Sequence, residues 1–126
     1  MADKAPDIRI HVKTTYLKSQ SEPDEDRYAF AYTITITNHG DQGAQLISRH
    51  WRITDANHKA KEVYGEGVVG EQPHIAPGDS HTYTSGAVLE TEMGTMEGEY
   101  QMMADDGQAF EAPIPRFTLS VPRVLH

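Results

Sequence analysis

The sequence predicts an all-β protein, an antiparallel β-sandwich of about seven strands. Hydrophobic residues alternate with a period of two in several segments, which is the pattern of strands that bury one face. Glycine, proline, asparagine and aspartate separate these segments at short intervals. No window carries the sustained apolar stripe of a helix, so short strands joined by turns account for the whole pattern.

The first two strands are expected over residues 8–16 and 28–36. In residues 28–36 the even positions are large and apolar, whereas the odd positions are alanine or threonine. In residues 8–16 the apolar Ile8, Ile10 and Val12 alternate with basic residues and a histidine. Each segment therefore predicts a strand with one buried face and one small or polar face.

Two more strands are expected over residues 45–54 and 59–64. The turn between them, residues 55–58, contains an aspartate and an asparagine, whose side chains can accept hydrogen bonds from the backbone of their own turn. After a proline-glycine pair, a strand rich in serine, threonine and tyrosine is expected over residues 80–85, with its end at Gly86.

The last two strands are expected over residues 100–103 and 110–119. An Asp-Gly pair at residues 106–107 separates them and is a strong hairpin signal, because both residue types tolerate positive φ. Pro113 and Pro115 cannot donate hydrogen bonds to a neighbouring strand, so the last strand is expected to be bulged or to lie at a sheet edge.

Two aromatic residues favour a fibronectin type III-like or immunoglobulin-like sandwich. Trp51 lies in the third strand, and Tyr100 begins the penultimate strand, where such sandwiches often carry a tyrosine corner. We expect the Tyr100 hydroxyl to bond a main-chain group within residues 93–97. The chain has no cysteine, so the Cys-Trp-Cys pattern of immunoglobulin domains is missing and the fibronectin type III-like version is favoured.

The composition excludes several classes of function. Eleven Lys and Arg residues against nineteen Asp and Glu residues give a net charge of −8, the wrong sign for a nucleic-acid partner. The absence of cysteine excludes disulfides, thiolate zinc sites and cysteine nucleophiles. With no apolar run of about 20 residues, we expect no membrane insertion and a cytoplasmic location. Residues 1–126 are expected to form one domain, with residues 1–6 as a flexible tail.

Charge is unevenly distributed along the chain. No Lys or Arg lies between Lys61 and Arg116, although this stretch contains eleven acidic residues. The simpler interpretation is a solubilising surface, and the functional one is a surface that attracts basic partners or cations.

One glycine motif has the G-x-G-x-x-G spacing of nucleotide-binding folds. In those folds a helix begins behind the glycines and its N-terminus receives the phosphates. Here a Glu-Gln-Pro segment follows, so no helix can begin, and the carboxylates would repel a phosphate. We expect a bulge and a long loop between strands, over residues 65–77, and regard it as a candidate binding loop. The residues of this candidate loop are Gly65, Gly67, Gly70, Glu71, Gln72 and Pro73.

Seven histidines raise the question of a metal site. A site needs three or four converging ligands, and no histidine spacing typical of zinc proteins occurs. The candidate cluster is His74 and His81, which flank a turn, with Glu71 nearby. The simpler interpretation is that these histidines face solvent, so no cofactor is expected. Weak binding of a divalent cation is kept as an alternative.

The segment Arg49, His50, Trp51 and Arg52 is chemically the richest in the sequence. If Trp51 faces the core, His50 and Arg52 lie on the opposite face of the strand, where they could form a recognition patch. The simpler interpretation is an ordinary polar strand face with a packed core tryptophan. Ser48, His50 and Asp55 are close in sequence but lack a nucleophile elbow, so an enzyme is not expected.

Specific motifs across nearly the whole chain match one family pattern. They include Ser48-Arg49-His50-Trp51, Gly67-Val68-Val69-Gly70-Glu71-Gln72-Pro73, Pro77-Gly78, Tyr83-Thr84-Ser85-Gly86 and Ile114-Pro115. On these residues the sequence resembles the ApaG family, also called CorD. His58 stands where the family commonly has glycine, which affects the geometry of that turn.

The resemblance implies a bacterial, cytosolic, fibronectin type III-like protein associated with cobalt resistance and magnesium efflux. The same domain occurs in eukaryotic F-box and DNA-polymerase-interacting proteins, which suggests an interaction module. Our leading interpretation is a non-catalytic module that binds an unknown protein through residues 65–77 and the 49–52 segment. The alternative is a small-ligand module that binds either a divalent cation through His74, His81 and Glu71 or a nucleoside or dinucleoside polyphosphate at the glycine-rich loop. A nucleotide hydrolase is a third hypothesis, for which we expect no activity.

Overall fold

The computed structural model describes residues 6–122, which form eight strands and two single-turn 3₁₀ helices. The 3₁₀ turns are Lys18–Gln20 and Pro23–Glu25. The strands are β1 (Ile8–Tyr16), β2 (Tyr28–Asn38), β3 (Ala44–Asp55), β4 (Ala60–Glu66), β5 (His74–Ile75), β6 (Ser80–Leu89), β7 (Met93–Ala104) and β8 (Ala109–Ser120). Of the expected N-terminal tail, residues 1–5 lie outside the described residues. Neither helix between residues 6 and 122 has the length or apolar character needed to cross a bilayer.

Two antiparallel sheets form the predicted sandwich. Sheet 1 has the order β1-β2-β6, and sheet 2 has the order β4-β3-β7-β8, with the two-residue strand β5 paired to β3. β5 accounts for the difference between the roughly seven strands expected and the eight found in residues 6–122. All-β architecture and the sandwich are therefore confirmed.

An aromatic cluster fills the space between the sheets. Trp51 of β3 is 2% exposed and meets Tyr32, Tyr100 and Phe117 edge-on, with ring centroids 5.5, 6.4 and 5.8 Å away. Such edge-to-face contacts add to the stabilisation from apolar burial. Trp51 therefore faces the core, which is the condition under which His50 and Arg52 face outward.

The alternation in β2 is also confirmed. Ile34 and Ile36 are fully buried, whereas Thr33, Thr35 and Thr37 lie on the outer face of sheet 1. Each of these threonines shares a hydrogen bond with a hydroxyl of β6, at oxygen–oxygen distances of 2.8, 3.1 and 2.8 Å. The outer face of sheet 1 is thus a ladder of paired hydroxyls.

The turn after β3 forms as expected. The Asp55 side chain accepts hydrogen bonds from the backbone N–H groups of Asn57 and Lys59, at 2.8 and 3.0 Å. His58 has a φ of 64°, in the left-handed region that favours glycine. The family glycine at this position would fit the turn without strain.

The largest differences from the predicted strand bounds are in β6 and β7. β6 continues through Gly86 to Leu89, so ending it at Gly86 was wrong. Gly86 pairs with Ala31 in unbroken register, so this glycine lies inside the strand and not in a turn. β7 begins at Met93, seven residues before the predicted start, because the glycines there allow close backbone contact. A Cβ at Gly98 would lie 1.9 Å from the carbonyl oxygen of His50.

The C-terminal hairpin confirms the edge-strand prediction. β8 is an edge strand of sheet 2. Met96 pairs with Phe117 but Gly98 pairs with Ile114, so the extra residue of a bulge lies in β8, at Pro115 and Arg116. The Asp-Gly signal gives a four-residue loop, residues 105–108, in which Gly107 has a φ of 89° and its backbone N–H donates to Ala104 O at 2.9 Å.

The tyrosine-corner prediction is half correct. Tyr100 is fully buried, as that role requires. Its hydroxyl, however, shares a hydrogen bond of 2.5 Å with the Tyr83 hydroxyl of β6, so the predicted main-chain partner within residues 93–97 was wrong. Tyr83 lies on the inner face of the opposite sheet, and the bond therefore joins the two sheets through the core.

Candidate functional site

The glycine motif forms a tight hairpin tip, and the loop predicted over residues 65–77 is shorter than expected, because β4 continues to Glu66 and β5 occupies His74–Ile75. Gly65 lies in β4, and Gly67 follows it with a φ of 60°. Val68 and Glu71 then exchange two backbone hydrogen bonds of 2.8 and 3.0 Å. Between them, Val69 and Gly70 have φ values of 47° and 78°, the signature of a type I′ turn. Residues 65–73 are called the tip loop below.

Backbone amides of the tip loop donate hydrogen bonds to carbonyl groups of the chain itself. Gly67 donates to Ile47 O at 2.8 Å, and the amides of Val68 and Glu71 serve the turn. A Cβ at Gly67 would lie 2.2 Å from Glu71 O, so only glycine fits there. These glycines shape a turn, and the helix N-terminus that receives phosphates in nucleotide-binding folds is replaced by that turn.

Arg49 clamps the tip loop to β3. Its Nη1 donates to Glu66 O at 3.0 Å and to Gly67 O at 2.8 Å. Gly65 pairs with Arg49 across the two strands, and a Cβ there would lie 2.7 Å from the guanidinium. Gly65 therefore provides the space that the arginine fills.

Further contacts fix the base of the tip loop. Gln72 Nε2 donates to Ile47 O at 2.9 Å, and Pro73 O accepts from Leu46 N at 2.9 Å. The Val68 side chain is buried in the core, at 1% exposure. Hydrogen bonds and an apolar anchor thus hold the loop in one conformation.

Val69 differs from the other residues of the tip loop, because its side chain does not help to hold the loop in place. Its side chain is 64% exposed, although valine is β-branched and its φ of 47° is sterically unfavourable for such a residue. Tyr64, at the end of β4, is 71% exposed. Sequence reasoning missed both residues. A usable signal existed in the Val-Val pair between glycines, because a tight turn can bury only one of the two.

A second cluster lies on the outer face of sheet 2. His50 Nδ1 bonds Glu99 Oε1 at 2.6 Å, and its Nε2 lies 3.3 Å from Glu62 Oε1. Its ring stacks on Tyr64 with a centroid distance of 4.4 Å and an interplanar angle of 11°. The hydrogen bond to Glu99 raises the pKa of His50 above its ordinary value, against the effect of its partial desolvation.

The four residues of the predicted patch do not share one surface. His50 and Arg52 face outward, as expected, but Arg49 and Trp51 face inward. The reason is the two-residue period of a strand, which separates neighbours onto opposite faces. Arg49 is a structural clamp, and Trp51 belongs to the core.

The candidate metal ligands form separate pairs. His74 Nε2 lies 2.8 Å from Asp105 Oδ1, while His81 Nε2 lies 3.9 Å from Glu71 Oε2. Between residues 6 and 122, no three His, Asp or Glu side chains are close enough to share an ion. His74 lies apart from His81 because β5, which contains His74, pairs with β3 beside the 105–107 turn. In that turn the backbone N–H of Asp105 donates to Gly43 O.

The hydrogen bonds also separate Ser48 from His50. Ser48 Oγ donates to Gln101 Oε1 at 2.8 Å, and both ring nitrogens of His50 face glutamates. The Asp55 carboxylate caps its own turn. The three side chains that were close in sequence thus have different partners.

Comparisons with known proteins agree with the fold. A family model described as the ApaG domain matches residues 18–104. "Protein ApaG" of Thiobacillus denitrificans is 62% identical over 119 residues, 94% of each chain, and "Protein ApaG" of Pseudomonas aeruginosa is 56% identical over 126 residues, the whole of both. A crystal structure from Bordetella pertussis, described as an ApaA protein, has a TM-score of 0.92 and 47% identity, covering 98% of this chain and all of that one.

Proposed function

The chain belongs to the ApaG domain family, and we propose that it is a non-catalytic protein-binding module whose recognition element is the tip loop. The partner is a protein of the bacterial cytosol. Any part in cobalt resistance or magnesium efflux, which the family resemblance implies, is then exerted through that partner.

Val69 is the observation that carries this proposal. A non-glycine residue in the left-handed region costs about 1–2 kcal/mol, and a β-branched residue is among the least tolerant. The exposed side chain returns little burial to offset that cost. A strained residue that the fold does not need points to a contact outside the chain.

The rigidity of the tip loop supports the same conclusion. Arg49, Gln72 and Val68 hold the loop before any partner arrives. A preorganised loop loses little conformational entropy on binding, which raises affinity. Recognition elements on rigid β-sandwiches are commonly loops of this kind.

Charge around the tip suggests the chemistry of the partner. Glu66 and Glu71 are exposed on either side of Val69. A complementary surface would offer an apolar pocket for the valine, bordered by lysine or arginine. Binding should weaken as ionic strength increases, because exposed charges are screened.

Capture from native cytosol with wild-type and variant chains tests the proposal. In Val69→Asn the fold keeps its turn, since asparagine tolerates the left-handed region. We expect the free energy of unfolding to rise by about 1 kcal/mol and the amount of captured partner to fall at least tenfold. Met93→Gln, which alters another exposed apolar side chain on β7, is the matched control and should capture as wild type does.

The opposite pattern would contradict the proposal. If folded Val69→Asn captures the same proteins in the same amounts as wild type, the tip loop is not the recognition element. Release of phosphate from diadenosine tetraphosphate by wild type, lost on substitution in the tip loop, would instead support the hydrolase hypothesis.

A further inference from the structure

The two sheets differ in width, and one edge of the sandwich is left open. Sheet 1 has three strands, whereas the main path of sheet 2 has four. β1 packs beside β8, which closes one side. On the other side β4 extends past β6, and a groove between these two edge strands is lined by Ile53, Val63 and Ala87.

The two sheets have four edge strands, which are β1 and β6 in sheet 1 and β4 and β8 in sheet 2. Of these, β6 is unprotected. Proteins usually guard edge strands with charged residues, prolines or bulges. β1 and β4 contain lysines, and β8 contains two prolines and a bulge. β6 runs for ten residues in unbroken register with β2 and contains no Lys, Arg, Asp or Glu and no proline.

The pairing pattern identifies the free backbone groups of β6. Asn38 N donates to Asp79 O, and hydrogen-bonded pairs alternate along an antiparallel ladder. The odd-numbered residues of β6 therefore bond to β2. The backbone N–H and C=O groups of Thr82, Thr84 and Gly86 point toward the open edge.

Lys61 supplies a charge inside the groove. It pairs with Ile53 across β3 and β4, so its side chain leaves the sheet on the inner face. Within the described chain Lys61 has no carboxylate partner, whereas its neighbour Lys59 lies 3.7 Å from Glu90 at the groove's end. An acidic side chain in the groove would meet Lys61 against an apolar floor.

A single strand fits this opening and a second copy of the chain does not. An added strand beside β6 would lie opposite β4 and complete a four-on-four sandwich. Two copies joined antiparallel through β6 would have both sheets 2 on the same side of the joined sheet. Each β4 overhang would then occupy space that the other copy already fills.

We infer that the open edge of β6 binds an extended segment of a partner protein as a fourth strand of sheet 1. Apolar side chains of the segment contact Ile53, Val63 and Ala87, one acidic side chain meets Lys61, and its outward side chains are polar beside Thr82 and Thr84. This is recognition by strand addition, in which the backbone gives affinity and alternate side chains give specificity. The tip loop approaches β6 at its other end, where Glu71 Oε2 lies 3.9 Å from His81 Nε2, whereas the groove lies beside residues 86–90. The inference does not rest on the tip loop as a recognition element.

A synthetic probe tests the inference directly. The probe is a fluorescein-labelled ten-residue peptide in which threonine alternates with valine, with glutamate in place of the third valine. We expect saturable binding by fluorescence anisotropy. Thr84→Pro, which removes an edge N–H without touching the ladder to β2, should weaken binding at least tenfold. Thr84→Val keeps that N–H and loses the same hydroxyl, so it should bind as wild type does.

A charge exchange tests the role of Lys61. Lys61→Glu should weaken binding of the glutamate peptide and strengthen binding of a peptide with lysine at the same position. Equal binding of both peptides to both chains would overturn the assigned contact.

Two further outcomes would overturn the strand-addition site. One is absence of binding at millimolar peptide, or equal binding by folded Thr84→Pro. The other is a concentration-dependent dimer, seen by sedimentation, that Thr84→Pro abolishes, because the occupant would then be a second copy.

Discussion

Between residues 6 and 122, three residues other than glycine have positive φ: Asp26, His58 and Val69. Aspartate and histidine are among the residue types that tolerate this region, and both lie in short turns. Valine does not tolerate it. The same backbone conformation therefore has a smaller cost at Asp26 and His58 and the largest cost at Val69.

His58 offers a direct measure of this cost. His58→Gly removes the Cβ that the left-handed conformation disfavours, which should raise the free energy of unfolding by about 0.5–1 kcal/mol after the greater freedom of unfolded glycine is subtracted. Denaturant unfolding measures the change. His58→Ala keeps a Cβ and should show no gain, and an equal gain in both variants would mean that backbone strain is not the cause.

His50 should make stability depend on pH. Its pKa is raised in the folded chain, chiefly by the hydrogen bond to Glu99, above the value of about 6.5 for an unperturbed histidine. The stabilisation is therefore complete below pH of about 6.5 and is lost as the pH rises through the raised pKa. Glu99→Gln should reduce this pH dependence.

Titration of the His50 ring by NMR checks the assignment. The midpoint should lie above about 6.5 in the wild type and shift downward in Glu99→Gln. An unchanged midpoint in the variant would mean that the contact with Glu99 does not govern the titration.

At the scale of elements, local patterns predicted strands better than strand ends. The alternation of β2 and the Asx chemistry after β3 needed no knowledge of neighbours, and both were confirmed. The strand end at Gly86 and the strand start at residue 100 were wrong because a glycine inside a strand and one in a turn look alike in sequence. Only the register shows that Gly98 lies against the backbone of His50.

The candidate site also contains features that the sequence predicted and features that it did not. The residues after the glycine motif predicted a loop, which is found. The role of Arg49 depends on its pairing with Gly65 across two strands, and the exposure of Val69 depends on the sign of its φ. Neither quantity can be computed from the residue types alone.

The hydroxyl pair between β6 and β7 should couple the two sheets energetically. Burial raises the pKa of both Tyr83 and Tyr100, so both are neutral and each hydroxyl satisfies the other. Tyr83→Phe or Tyr100→Phe alone leaves a buried hydroxyl without a partner, which costs about 1–3 kcal/mol. The double variant leaves no buried hydroxyl without a partner. Its loss of unfolding free energy should therefore be smaller than the sum of the losses in the two single variants.

A double-mutant cycle by denaturant unfolding measures this coupling. A loss in the double variant equal to the sum of the single losses would show that the hydroxyls act independently. The Tyr16–Phe30 ring contact, within sheet 1, contains no such hydroxyl pair, so Tyr16→Phe is a suitable control with a small effect.

At the scale of the whole molecule, the acidic residues of the strands occur only in sheet 2, which also contains Arg49, Arg52, Lys61 and Arg116. β1, β2 and β6 contain no acidic residue, whereas the strands of sheet 2 contain Asp55, Glu62, Glu66, Glu97, Glu99 and Glu111. The acidic stretch of the sequence is thus not an acidic half of the fold, because β6 lies within that stretch and is uncharged. A basic partner would be drawn toward sheet 2 and the tip loop that extends from it.

The absence of cysteine in the whole chain makes one site-specific measurement simple. A single cysteine introduced as Val69→Cys can hold a photoactivated cross-linker at the hairpin tip, and Met93→Cys can hold the same reagent elsewhere on the surface. After illumination in native cytosol, we expect a discrete protein adduct from position 69 and none from position 93. No adduct from position 69, or the same adducts from both positions, would contradict it.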